Sequence, residues 1–199
     1  MRTKIYFHFL LFAYASLFLL GISDNLRGPI YSDILKTFSV DPVQGSMFFS
    51  VTSICAFAGG FVTAKLIRRF SHYAVLQASI FLCSASLLLM SFANSFYFLM
   101  FGTALLGVSY GWMGVVQNIL VARFAPHQRK QQWLTGLHTV YAGSALLAPS
   151  LIAYLFERVQ ASGGPSVWRT GLQAGASFGF VIFASAWWVF HTRRDQLVL

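Results

Sequence analysis

The sequence predicts an all-α membrane protein with six transmembrane helices in a single domain that covers residues 1–199. The first observation behind this prediction is composition. Hydrophobic residues make up 57% of the chain and charged residues 10%, whereas a soluble domain carries about 25% charged residues. The second observation is that the apolar residues fall into six segments, each long enough to cross a bilayer as a helix of about 20 residues.

The first three helices are predicted at residues 5–31, 45–67 and 73–93. The first apolar run continues well beyond the roughly 7–15 residues of a secretory signal, so we expect a retained membrane helix. The pair Asp41-Pro42 is typical of a turn. Because proline is disfavoured in a helix interior, the second helix is predicted to begin after it. The third helix ends at the tight connection Asn94-Ser95.

The last three helices are predicted at residues 96–124, 133–156 and 167–190. The polar stretch 125–130 ends the fourth helix, and the Gly- and Pro-containing loop 161–165 separates the fifth from the sixth. Because every connection is short, we expect neither a nucleotide-binding domain nor a sensor domain between the helices.

Lys and Arg residues are divided unequally between the two sides of the predicted membrane. Cytoplasmic loops carry an excess of these residues, so we expect both termini in the cytoplasm and the chain in the bilayer of the inner membrane. The richer side holds Arg2, Lys4, Lys65, Arg68, Arg69, Arg123, Arg129, Lys130, Arg193 and Arg194, and the other side holds Arg27, Lys36, Arg158 and Arg169.

Composition and motifs favour neither an enzyme nor a nucleic-acid-binding protein. Five acidic residues leave almost no candidates for catalysis by paired carboxylates, and no hydrolase or phosphate-loop motif occurs. The net charge of +9 comes from short gaps between apolar runs, not from a basic surface patch. Cys55 and Cys83 match no metal or redox spacing, so we expect packing roles for both, with no metal and no cofactor.

The stretch Gly21–Pro29 brings two charges and a helix-breaking Gly-Pro pair into the first helix. Charges at membrane depth cost roughly 2.5–3.5 kcal/mol each on insertion scales, so we expect Asp24, Asn25 and Arg27 to line an aqueous cavity. Asp24 and Arg27 are three residues apart, share a helix face and are able to pair. The alternative is a helix that ends at Asn25, with Arg27 reaching the membrane surface.

Further polar residues lie inside the fourth and fifth helices. Tyr110, Gln117 and Asn118 are cavity candidates in the fourth helix, and His138 and Tyr141 share one face of the fifth. With a rise of about 1.5 Å per residue, Asn118 and His138 lie at similar depth and meet if the two helices are neighbours. The alternative for the amides and for His138 is a hydrogen bond between helices that serves packing alone.

Small residues predict where helices approach closely. Gly171, Gly175 and Gly179 form two successive GxxxG steps in the sixth helix, and Gly143 and Pro149 are predicted packing residues of the fifth. These patterns indicate packing and not chemistry.

Several motifs resemble the amino-terminal half of a major facilitator superfamily transporter. The segments 38–40 and 44–46 resemble the start of that family's second helix, and residues 60–69 occupy the place of its signature loop. Gly143–Pro149 occupies the place of the Gly-Pro motif in the fifth helix, and Trp168-Arg169 matches the pair at the start of the sixth. The resemblance implies one half of that fold, hence a half-size transporter.

The signature loop also departs from the family pattern. Gly60 and the basic residues Lys65, Arg68 and Arg69 are retained. Ala64 and Ile67 stand where the family has Asp and Gly, which removes the acid of the usual cytoplasmic latch.

Within the superfamily, three short strings are similar to the fucose-permease-like sugar symporters. They are Gly21–Pro29, Gln117-Asn118 and residues 137–143. This resemblance implies a small polar solute, with a sugar as one possibility, and it implies that the first and fourth helices line the cavity.

The same resemblance implies how six helices would transport. Family transporters place two six-helix halves around an axis along the membrane normal, so a parallel C2 homodimer restores the architecture. The second and fifth helices would then contact the other copy, and rocking of the copies would give alternating access. Proton coupling is expected at Asp24, with His138 as a second site because histidine titrates near neutral pH.

Two alternatives remain beside the homodimer. In the first, a separate six-helix chain supplies the other half of a split transporter. In the second, the protein does not transport and uses the fold as a membrane scaffold or assembly factor.

Overall fold

The computed structural model describes the backbone of residues 2–162 and 166–192, and the side chains of residues 7–159 and 166–191. Its elements are helices, with a 3-10 turn at His127–Arg129 between the sixth and seventh of them. The helices are α1 (Arg2–Asn25), α2 (Arg27–Phe38), α3 (Pro42–Gly45), α4 (Met47–Phe70), α5 (His72–Ser91), α6 (Phe96–Phe124), α7 (Lys130–Ser162) and α8 (Val167–Thr192).

Six spans among the described residues are long and apolar enough to cross a membrane, which confirms the predicted fold class. The predicted bounds 96–124 match α6. The bounds 133–156 predicted for the fifth helix are too short, because α7 (Lys130–Ser162) begins three residues earlier and ends six residues later. Both ends of α7 are polar, so the apolar pattern of the sequence did not predict its full length.

The first predicted helix, 5–31, is wrong as a single element, because the helix is interrupted at Leu26. In an α-helix the N–H of residue 29 would donate to the carbonyl of Asn25. Pro29 has no N–H, and its ring clashes with that carbonyl. The break therefore lies one turn before Gly28-Pro29, and Pro29 falls in the first turn of α2, where proline is tolerated.

Helix α1 lies at the centre of the bundle and packs against α6, α7 and α8. Helix α4 packs against α6, and α5 packs between α6 and α8. Helices α4 and α7 are not a packed pair, and they form the two least covered flanks. Of their most apolar windows, 22% and 17% of the residues are buried, against 61% for α5.

Glycines bring the backbones of α4 and α6 into contact. A Cβ atom added at Gly107 would strike the carbonyl oxygen of Thr52, and one at Gly111 would strike that of Ala56. From the other side, a Cβ at Gly59 would lie 2.9 Å from the carbonyl oxygen of Val108. No larger residue fits at these positions without separating the two helices.

The glycines of α8 also face neighbouring helices. A Cβ at Gly171 would meet Ile152 of α7, and a Cβ at Gly175 would meet Leu26 and Leu87. A Cβ at Gly179 would meet the hydroxyl of Ser84 in α5.

Packing predicted at Gly143 and Pro149 is not seen within the described chain. A Cβ at Gly143 has no neighbour within 4 Å, and Pro149 is exposed. Both residues lie away from the side of α7 that packs on α1, so their packing role stays a prediction for a contact with another chain.

The predicted Trp168-Arg169 pair fixes the start of α8. The indole Nε1 of Trp168 donates to the hydroxyl of Thr37 at 3.0 Å. The two terminal nitrogens of Arg169 each donate, at 2.7 Å, to the carbonyl oxygens of Ser91 and Ala93. Arg169 thus satisfies carbonyls left open where α5 ends.

We expect Gly107→Ala to lower stability by about 1–3 kcal/mol, the usual cost of overpacking, because its methyl group would strike the backbone of α4. The matched control is Gly114→Ala in the same helix, where a Cβ meets nothing within 4 Å. Thermal denaturation in detergent, followed by the fraction that remains monodisperse, measures both. Equal stability of the two variants would contradict the described α4–α6 contact.

Candidate functional site

Arg27 is buried at the start of α2, with 6% of its surface exposed. One terminal nitrogen donates to the hydroxyl of Thr52 in α4 at 2.6 Å, and the other pairs with the carboxylate of Asp24. Its Nε also donates to the main-chain carbonyl of Asp24 at 3.4 Å. Arg27 therefore does not reach the membrane surface, although α1 does end at Asn25.

Three aromatic rings surround the same guanidinium. Its central carbon lies 5.7 Å and 5.4 Å from the ring centres of Phe48 and Phe49, and 5.8 Å from that of Tyr110. A cation within about 6 Å of a ring face is attracted by the quadrupole of the ring. The rings shield Arg27 from water and lipid while partly replacing its hydration.

Asp24 is the accessible member of the pair, since 30% of its side chain is exposed. Its second carboxylate oxygen accepts a hydrogen bond from the Tyr141 hydroxyl of α7 at 2.8 Å. The pair thus reaches α4 through Arg27 and α7 through Asp24. It lies between the two flanking helices that do not pack on each other.

Asn25 bonds to its own helix, whereas Tyr110 and Gln117 bond within the core of the bundle. The amide of Asn25 donates to the carbonyl of Gly21 at 2.8 Å. The Tyr110 hydroxyl donates to Ser23 at 2.8 Å, and the Gln117 amide donates to Ser16 at 2.9 Å. Tyr110 and Gln117 therefore join α6 to α1.

Asn118 and His138 do not meet, which corrects the expectation that depended on their helices being neighbours. The Asn118 amide donates to Gly114 of its own helix at 2.8 Å. His138 is exposed on α7, and no described hydrogen bond or ion pair joins the two residues. The helices α6 and α7 share few contacts because α1 lies beside both.

Sequence reasoning missed Thr52, Ser16 and Ser23, which supply the partners of Arg27, Gln117 and Tyr110. Hydroxyl residues are frequent inside these helices, and most of them bond to their own backbone one turn earlier. Thr52 also does so, to Phe48 at 3.0 Å. Nothing in the sequence separates it from Thr63, which bonds to Gly59 alone.

The residues of the predicted signature loop lie within the second half of helix α4. A Cβ at Gly60 would touch Val115 of α6 at 4.0 Å. Among the described residues no carboxylate lies within 4.0 Å of Lys65, Arg68 or Arg69. The ion pair that the described residues do contain, Asp24–Arg27, lies elsewhere in the bundle. These cations therefore have no acidic latch partner in the described part of the chain.

The family profile of the Major Facilitator Superfamily matches residues 13–198. The chain belongs to this superfamily. Its six membrane spans agree with the fold, because the structure of the proton:xylose symporter XylE bound to 6-bromo-6-deoxy-D-glucose superposes with a TM-score of 0.82. The superposition covers 94% of this chain and 45% of that chain at 12% identity.

Curated relatives with detectable sequence similarity include a bacterial and a yeast protein. The purine ribonucleoside efflux pump NepI of Escherichia coli (strain 536) is 28% identical over 137 residues, which cover 69% of this chain and 33% of the pump. Bypass of stop codon protein 6 of Saccharomyces cerevisiae is 23% identical over 139 residues, covering 69% of this chain and 27% of that protein. The matched parts are therefore about a third of the relatives' length.

We expect Asp24→Asn to destabilise the protein more than Arg27→Gln does. Removing Asp24 leaves a buried, unpaired guanidinium, which lowers stability by about 3–5 kcal/mol. Removing the charge of Arg27 instead leaves Asp24 unpaired, but its carboxylate retains access to water. The Asp24→Asn/Arg27→Gln double variant should recover part of the loss. Thermal denaturation of the three variants in detergent completes the double-mutant cycle, and additive losses would contradict a coupled pair.

Proposed function

We propose that the chain is one six-helix half of a secondary transporter that moves a small, polar, uncharged solute by alternating access. The observation that carries this proposal is the Asp24–Arg27 pair at the break between α1 and α2. Ionisable residues inside membrane helices mark substrate or ion pathways by default. Broken helices at that depth are tolerated where they line a cavity or are buried in protein.

The charges of the pair favour an uncharged solute. Arg27 is enclosed, and its charge is met by Asp24, so an anionic solute finds no free cation at this point. Asp24 and Asn25 are partly exposed and offer groups that bind hydroxyls. The names of two similar proteins, a purine ribonucleoside pump and a xylose symporter, and the likeness to fucose-permease-like symporters support a sugar or nucleoside.

Proton coupling would use Asp24. Its carboxylate joins Arg27 on one side and Tyr141 on the other, so a proton on Asp24 would weaken both contacts and loosen the tie between α1 and α7. His138, exposed on the same helix as Tyr141, would be a second proton site. The excess of Lys and Arg at one end of the helices predicts that both termini would face the cytoplasm. The membrane would be the inner membrane.

We expect Asp24→Asn in proteoliposomes to abolish solute accumulation driven by a pH gradient while retaining solute exchange without a gradient. The assay uses labelled xylose and a labelled purine ribonucleoside. The control is Glu157→Gln, the same acid-to-amide change at an exposed position of α7. Gradient-driven accumulation by Asp24→Asn at the wild-type level would falsify the coupling role.

The second half of the transporter would be another copy of this chain in a parallel C2 dimer. A stripe on α7 is exposed along one face and includes two alanines, small residues of the kind enriched at interfaces between membrane helices. It contains Ala142, Leu146, Pro149 and Ala153. Helix α4 exposes Ile54, Phe57 and Phe61 to 67%, 72% and 73%. These two flanks frame the Asp24–Arg27 pair, so a partner seated on both would enclose it.

We expect a Phe57→Cys/Leu146→Cys variant, in a Cys55→Ala background, to form disulfide-linked dimers in membranes under mild oxidation. The control is Val181→Cys on α8, which is 62% exposed but lies on neither flank. Linkage of the control alone would contradict this dimer. Linkage to a separate six-helix chain would support the split transporter, and a linked dimer that binds no solute would support a scaffold.

A further inference from the structure

An apolar cleft opens between α1, α7 and α8, away from the Asp24–Arg27 pair. Its volume is about 270 Å³, close to the lower end of about 300 Å³ for small-molecule sites. Its walls include Phe18 and Ile22 of α1, Leu151 and Leu155 of α7, and Gly175 and Phe178 of α8. Gly171 and Gly175 also line the cleft, and because they have no side chains they leave it open.

This cleft lies within the membrane-spanning parts of all three helices. A buried water needs two to four polar partners, and these walls are built from aliphatic and aromatic side chains. Such walls suit a hydrocarbon, and the abundant hydrocarbon at this depth is a lipid acyl chain. Because lipid tails are as apolar as leucine, packing alone would not select one lipid from another.

A cation three residues beyond the last α7 residue of the cleft is able to supply that selection. Arg158 follows Leu151 by seven residues and Leu155 by three along α7, so it shares their helix face. Arg158 is exposed, its Nε donates to the Tyr154 hydroxyl at 3.2 Å, and its guanidinium lies 5.3 Å from that ring centre.

The terminal nitrogens of Arg158 are bonded to no described side chain. No carboxylate of the described residues lies within 4.0 Å of it, and neighbouring residues such as Glu157 do not face each other along a helix. A planar guanidinium matches a phosphate through two parallel hydrogen bonds. The tyrosine holds Arg158 in place for such a contact.

We propose that this cleft binds a phospholipid of the surrounding bilayer, with one acyl chain between α1, α7 and α8 and the headgroup phosphate on Arg158. The cleft face of α7 contains Ala148, Leu151, Ile152 and Leu155. It is separate from the exposed stripe Ala142–Leu146–Pro149–Ala153, so lipid binding and a dimer on that stripe do not exclude each other. The proposal stands whether or not the protein transports.

The test uses the full chain in phosphatidylglycerol-containing nanodiscs with two photoreactive probes that carry the same diazirine acyl chain. One probe is a phosphatidylglycerol, and the other is a diacylglycerol without phosphate. Labelled peptides are mapped by mass spectrometry. In the wild type we expect labelling of α7 and α8 at the cleft by both probes.

Arg158→Gln should reduce cleft labelling by the phosphatidylglycerol about fivefold, the size of effect of one basic residue on anionic lipid, and leave the diacylglycerol unchanged. Lys36→Gln is its control, at the same end of the membrane and outside the cleft. An equal fall with both probes, or no fall with either, would overturn the headgroup contact.

Ala174→Leu should lower labelling by both probes, because Ala174 lines the cleft and is exposed to it. The control is Ala184→Leu, the same change at an exposed position of α8 outside the cleft. Unchanged labelling in Ala174→Leu, or no cleft labelling in the wild type, would overturn the acyl-chain site. The exposed Arg158→Gln change tests the proposal separately if Ala174→Leu fails to fold.

Discussion

The burial of one guanidinium constrains the centre of this protein. A charge inside a membrane bundle is stable when it is paired and when its remaining donors are satisfied. Arg27 meets both requirements through Asp24, Thr52 and three aromatic rings. These partners come from α1, α4 and α6, so the position of Arg27 fixes α2 relative to those three helices. Tyr141 extends the set to α7.

The helices were readable from the sequence because the physical requirement for them is simple. A bilayer demands long apolar segments, and six of these are unmistakable in the chain. The break at Leu26 was harder to place, because Pro29 disturbs the carbonyl one turn before it. The ends of α7 were missed because a helix that leaves the membrane becomes polar without ending.

The site was readable where its residues are close in sequence. Asp24 and Arg27 are three residues apart, so helix geometry alone brings them together. Tyr141 was identified as a polar residue in an apolar helix, but its contact with Asp24 spans 117 positions and depends on how α1 and α7 pack. Thr52 carried no signal of its own, and Asn118 and His138 showed that equal depth does not place two side chains together.

The glycine contacts of α4 with α6 differ in kind from the contacts of α7 with α1. Backbone lies on backbone in the first pair, which leaves no side chain to change rotamer and no space for sliding. The second pair is joined in part by hydroxyl groups, Tyr14 to the carbonyl of Trp133 and Tyr141 to Asp24, and hydroxyls exchange partners readily. The two sides of the bundle therefore differ mechanically. The contact of α4 with α6 is rigid, and the contact of α7 with α1 is able to open and re-form.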